Sequence, residues 1–123
     1  PYRDMIVRQM QSQILLIVAP PEQGGAIPAK LYSYLASKRP ILNIPGDGAG
    51  TDRILRDTNA GVSLSQPEEI AGWLALRYQE WKASGRVQFT GFTSEIERYS
   101  RKTQTGDLAR LLSEVSVRRF RRY

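Results

Sequence analysis

Hydrophobic residues along the chain alternate between helical spacing and short continuous runs. Met5, Ile6 and Met10, with Asp4 available as a cap, predict a short helix over residues 4–11. Residues 14–19, Ile-Leu-Leu-Ile-Val-Ala, are apolar at every position, the pattern of a strand buried under helices on both sides. The run stops at Pro20-Pro21. Residues 22–27 contain two adjacent glycines and no pattern, and Pro28 then suits a first helical turn. A helix over 28–37 follows, with Leu31, Tyr34 and Leu35 on one face and Lys38-Arg39 set to complement the negative end of its dipole. Ile41–Ile44 reads as a second strand. A turn-rich loop over 45–50 leads to a helix over 51–58 that buries Ile54 and Leu55 and ends at Asn59-Ala60-Gly61. Residues 62–64 form a third strand. Ser65 and Glu68 have capping-box spacing around Pro67, starting a helix to residue 83 with Ile70, Leu74, Tyr78 and Trp81 along one side.

This alternation of helix and strand argues for an α/β fold: a Rossmann-like parallel sheet with helices on both faces. Beyond Ser84-Gly85-Arg86, residues 87–93 fit either state, and residues 94–101 read as a short helix with Ile96 and Tyr99 inward. Residues 107–117 carry Leu108, Leu111, Leu112 and Val115 at i, i+3, i+4 and i+7, the clearest amphipathic helix of the chain. Three strands are fewer than a doubly wound sheet usually has, so the expected fold is an incomplete domain.

Composition narrows the chemistry. The 123 residues suffice for one core and no more. With no Cys and no His, thiol nucleophiles, thiolate metal sites and the usual neutral-pH general base are excluded. The net charge of +6 lies wholly after Glu97, where Arg98, Arg101, Lys102, Arg110, Arg118, Arg119, Arg121 and Arg122 face only Asp107 and Glu114. The sequence opens on Pro1 and not Met, as expected of a piece cut from something longer. The longest apolar run falls far short of the roughly 20 residues of a membrane span. With no secretion signal at the start, a cytoplasmic location is expected, peripheral at the inner membrane face if the basic end meets lipid.

The stretch ILLIVAPPEQGGAIPAKLYSYLASKRP (14–40), continuing as ILNIPGDGAGTDRILRDTNAGVSL, resembles the donor-binding half of a GT-B glycosyltransferase of family 4. The likeness extends through IERYSRKTQTGDLARLLSEV, which is similar to the helices that close such enzymes. It implies a truncated GT-B C-terminal domain over residues 1–117, with 118–123 as a basic tail. It also implies transfer of a sugar, with retention, from a nucleotide-sugar donor to an acceptor in polysaccharide or glycolipid synthesis. No cofactor is needed, because the nucleotide sugar is itself the substrate. The acceptor domain and the glycine-rich phosphate loop with its Arg and Lys lie in segments that this sequence lacks. The fragment alone is therefore expected to be inactive and to contain no catalytic or metal-binding residue.

Candidate donor contacts follow from the residues and from the resemblance. An apolar strand ending in a glycine-rich loop before a helix start is where open α/β sheets bind anions. Gly24, Gly25, Ala26 and Ile27 fit that place, and Lys30 adds a positive charge in the first turn; a tight loop with a solvated lysine is the plain alternative. The resemblance puts Glu22 on the donor sugar's hydroxyls, although the spacing to Pro28 is one residue longer than usual and an exposed loop carboxylate reads equally well. The ribose-gripping glutamate of the family is replaced here by Ser33, which lacks the strength of a charged acceptor.

Three further features compete for function. Gly46-Asp47-Gly48-Ala49-Gly50 mimics a dinucleotide fingerprint with its third glycine one residue early, and the cheaper reading is that Asp52 or Thr51 caps the next helix. Trp73, Tyr78 and Trp81 offer a stacking surface, yet their spacing with Ile70 and Leu74 favours packing, or a face toward the missing part of the enzyme that leaves the fragment prone to self-association. Arg118-Arg119-Phe120-Arg121-Arg122-Tyr123 interleaves guanidinium groups with aromatics. The alternative function is thus a basic-tailed α/β binding module for nucleic acid or an anionic membrane, set against a merely solvated terminus.

Overall fold

A computed structural model describes residues 1–18 and 26–120, with side chains through residue 118. The elements run α1 (Tyr2–Gln11), β1 (Leu15–Val18), α2 (Lys30–Ser37), β2 (Ile41–Ile44), α3 (Gly50–Thr58), β3 (Gly61–Ser63), α4 (Pro67–Ser84), α5 (Thr93–Glu97) and α6 (Arg101–Phe120). The strands form one parallel sheet in the order β1-β2-β3, pairing Leu15 with Ile41 and Ile41 with Gly61. The α/β class and parallel sheet agree with the expectation.

One face of the sheet holds the core. Leu15 and Ile17 of β1 and Ile41 of β2 pack against Leu31 and Leu35 of α2, Ile54 and Leu55 of α3 and Ile96 of α5. Burial of each such side chain stabilises the fold by about 1.5–3 kcal/mol. Gly61 is required beside β2, because a Cβ there would run into the Ile41 carbonyl. The opposite face is covered at β2, where Leu42 is buried, but departs from the expectation of full cover at the edge strand β1. Leu16 and Val18 alternate with the buried residues of β1 and remain 48% and 60% exposed.

Several boundaries shift for local reasons. α1 begins two residues early, with Pro1 as its N-cap residue and no side-chain cap, and Asp4 sits in its first turn. Lys38 leaves α2 in the left-handed conformation (φ 51°), and the Arg39 guanidinium caps α1 instead, its Nε donating to the Met10 carbonyl at 2.8 Å. The cap of α4 is Gln66 with Pro67 next, so Ser65 and Glu68 make no capping box. α4 buries no residue fully: Ile70 and Trp73 are half-buried while Leu74, Tyr78 and Trp81 stay 40–55% exposed, so only part of the expected packing within this chain occurs. α6 is longer than the amphipathic pattern, beginning at Arg101 and running past residue 118 without a break, and its apolar stripe is open to solvent.

The undecided segment 87–92 has no helix or strand and works as a clasp. The Val87 N–H donates to Gln13 Oε1 at 2.8 Å, Phe92 N–H to the Thr58 carbonyl at 2.7 Å, and Asn59 Nδ2 to the Thr90 carbonyl at 2.8 Å. It ties the end of α3 to the entry of β1. Among the described residues no helix is long and apolar enough to cross a membrane.

Candidate functional site

Parallel strands end at one edge of a sheet, and there the helices that follow them begin, presenting N–H groups and a partial positive charge. Three helix starts, those of α2, α3 and α4, therefore compete for an anion at the carboxyl edge.

The start of α3 is already filled. Asp47 accepts backbone N–H donors from Ala49 (2.9 Å), Thr51 (3.0 Å) and Asp52 (3.2 Å). Asp52 reaches back to the N–H groups of Gly48 (2.8 Å) and Asp47 (3.3 Å) and to Asn43 Nδ2 (3.1 Å). Five N–H groups of the loop are thus spent on two carboxylates. Burial alone would raise the Asp47 carboxyl, but the three backbone donors outweigh it and bring its pKa from 3.8 down to about 2. Gly46 (φ 96°) permits the turn, since a Cβ there would lie 3.1 Å from both Asp52 Oδ2 and Ser63 Cβ. The N-cap residue is Ala49, and the carboxylate that serves its helix start is Asp47, not Asp52 or Thr51 as the sequence suggested. A phosphate would meet two fixed negative charges here, which leaves no room for the dinucleotide reading.

The start of α4 is also unsuited to an anion. Pro67 has no N–H to offer, and Glu68 and Glu69 occupy the first turn.

The start of α2 differs from both. Among the described residues no side chain caps it, its first turn contains no acidic residue, and Lys30 is exposed there. Lys30 also lines an open cleft of about 700 Å³ between α1 and α2, together with Asp4, Arg8, Ser12 and Tyr34. The two helices are joined along this cleft by the Ser37 hydroxyl, which donates to Gln9 Oε1 at 3.3 Å, and by Arg39 on the Met10 carbonyl. Arg8, which no sequence motif marked, therefore shares a surface with Lys30.

The other expected contacts divide. Ala26 is exposed just ahead of α2, whereas Ile27 packs against the core and helps anchor the loop. Ser33 is half-buried, and its hydroxyl donates to the Lys30 carbonyl one turn back at 2.9 Å. A ligand hydroxyl would meet its lone pairs, not a free donor. Glu22, Gly24 and Gly25 lie outside the described residues, as do Arg121, Arg122 and the Arg119 side chain. Asn43 was hidden in a strand that reads as apolar. It is fully buried and donates to Asp52 Oδ1 and Ser63 Oγ, both at 3.1 Å, while its own Oδ1 has no protein partner among the described residues. Asn followed nine residues later by Asp at a helix start was the available signal. Among the described residues no cluster of acidic side chains could hold a metal ion.

Comparison of the chain with protein-family models, with curated proteins and with solved structures finds no match.

Proposed function

We propose that the chain is the later part of the donor-binding domain of a nucleotide-sugar glycosyltransferase, as its sequence resemblance implies. The observation that carries the reading is selective: of three helix starts at the carboxyl edge, α3 is closed by Asp47, α4 is acidic, and α2 is basic and, among the described residues, without a side-chain cap. In this account the backbone N–H groups of Ala29 and Lys30 and the Lys30 ammonium hold the donor diphosphate, the next two N–H groups being donated to the Pro28 and Ala29 carbonyls, with Arg8 adding long-range attraction from across the cleft. Glu22 accepts from hydroxyls of the sugar, and Ser33 takes the ribose in place of a carboxylate. Holding the leaving diphosphate is half of sugar transfer. The acceptor, and the groups that stabilise charge as the glycosidic bond breaks, belong to a domain outside this sequence.

The uncovered surfaces support the same reading. A parallel sheet is normally covered on both faces, and here Leu16 and Val18 are bare on an edge strand while α4 exposes Leu74, Leu76, Tyr78 and Trp81. Upstream strands and helices of a larger domain would cover β1, and in their absence the same surfaces favour self-association.

The test is the coding sequence upstream of Pro1. A further stretch of about 200 residues, containing a first Rossmann-like domain, is expected. An initiation codon next to Pro1 would sink the proposal.

A further inference from the structure

We propose that α6 docks on an anionic lipid surface through the face that carries its apolar stripe. This inference rests on α6 alone and stands apart from the donor site.

A helix of 20 residues is about 30 Å long, and beyond Thr103 every described side chain of α6 is exposed. Leu108, Leu111, Leu112 and Val115 are 57–63% exposed, and they lie on one side of the helix at spacings of three and four. Helical spacing continues the row of Leu108 and Leu112 to Arg101 at one end and to position 119 at the other, and the row of Leu111 and Val115 to Arg118. The face thus has an apolar centre and cationic ends. Asp107 and Glu114, seven residues apart, share a flank, and Asp107 is paired with Arg110 at 2.6 Å. An anionic interface matches this layout. Leucine and valine enter the headgroup boundary while the guanidinium groups reach phosphates at both ends.

Other occupants fit less well. A parallel second copy would oppose Arg101 and Arg118 each to itself. Nucleic acid would satisfy the arginines but leave four aliphatic side chains without a partner.

Flotation with vesicles of phosphatidylcholine alone, and of phosphatidylcholine with about one quarter phosphatidylglycerol, tests this. The 123-residue chain should float with the anionic vesicles only and be released by about 0.5 M salt. Arg118→Gln should lower partitioning about fivefold, and Leu111→Glu with Leu112→Glu about tenfold or more. These side chains touch no core, so circular dichroism should show the rest of the fold unchanged. Failure to float, equal flotation with neutral vesicles, or flotation that survives the double Glu variant would overturn the proposal. So would tighter retention on single-stranded RNA than on vesicles. The protein extended upstream should float as well; flotation of the short chain alone would mean that protein covers α6, against the proposal.

Discussion

Replacing Asp47 by alanine removes the acceptor for three backbone N–H groups at the start of α3. Loss of such a cap costs about 1–2 kcal/mol. The loop is partly exposed, so water re-satisfies some of the freed donors and keeps the cost within that range. Asp47→Asn retains an acceptor without the charge and should cost about half as much. The pH dependence follows from the depressed carboxyl, at about 2 in the fold against an ordinary 3.8. A depressed acid stabilises the folded state in its ionised form. Its contribution is complete above the ordinary value and is lost as pH falls from about 4 toward 2. Unscreened, that linkage would come to about 2 kcal/mol; solvent exposure of the loop reduces it to about 1 kcal/mol. Urea unfolding followed by far-UV circular dichroism at about pH 6 and about pH 2.5 measures both effects. The gap between the native chain and Asp47→Ala should be widest at pH 6 and narrow by about 1 kcal/mol in acid. Equal stability at pH 6, or a gap that does not change with pH, would refute the capping argument.

Other expectations follow from the same contacts. Gly61→Ala forces a Cβ into the Ile41 carbonyl; it should destabilise the sheet by about 3 kcal/mol or more, read as loss of soluble folded protein. Leu35→Ala removes most of a side chain that is 1% exposed in the core and should cost about 2–5 kcal/mol in the same urea assay. Gln13→Ala unties the Val87 N–H and should cost about 1–2 kcal/mol, with faster amide exchange at Val87 as the local readout. Exchanging Leu74 and Trp81 for serine should shift sedimentation toward the monomer without lowering the unfolding midpoint, because neither side chain is buried.

The parallel β/α core was legible because its signals are local. Ile41–Ile44 lies between Pro40 and Pro45, and Asn59 and Gly85 stop their helices in the left-handed conformation that asparagine and glycine tolerate. What escaped depends on distant partners. Nothing near Arg39 indicates that it caps α1 instead of its own helix, and Gln13 meets Val87 across 74 positions. The bare outer face of β1 was equally hidden, since an unbroken apolar run shows only that both faces of a strand avoid water. Leu16 and Val18 have the right character for burial and no neighbour among the described residues to provide it. At the candidate site, Lys30 and the helix start were readable from Pro28 and the strand before it. Asp47 competed with Asp52 and Thr51 for the cap of α3, and spacing alone does not rank three polar residues around a glycine turn.

Calorimetric titration of uridine and guanosine diphosphate addresses the donor-binding claim most directly, run on the 123-residue chain and on the protein extended upstream. The account predicts weak or no saturation with the short chain. It predicts saturable binding with the extended one, weakened about five- to tenfold by Lys30→Ala and untouched by Asp47→Asn. Tight binding to the short chain, no binding to the extended protein, or binding indifferent to Lys30 would contradict it.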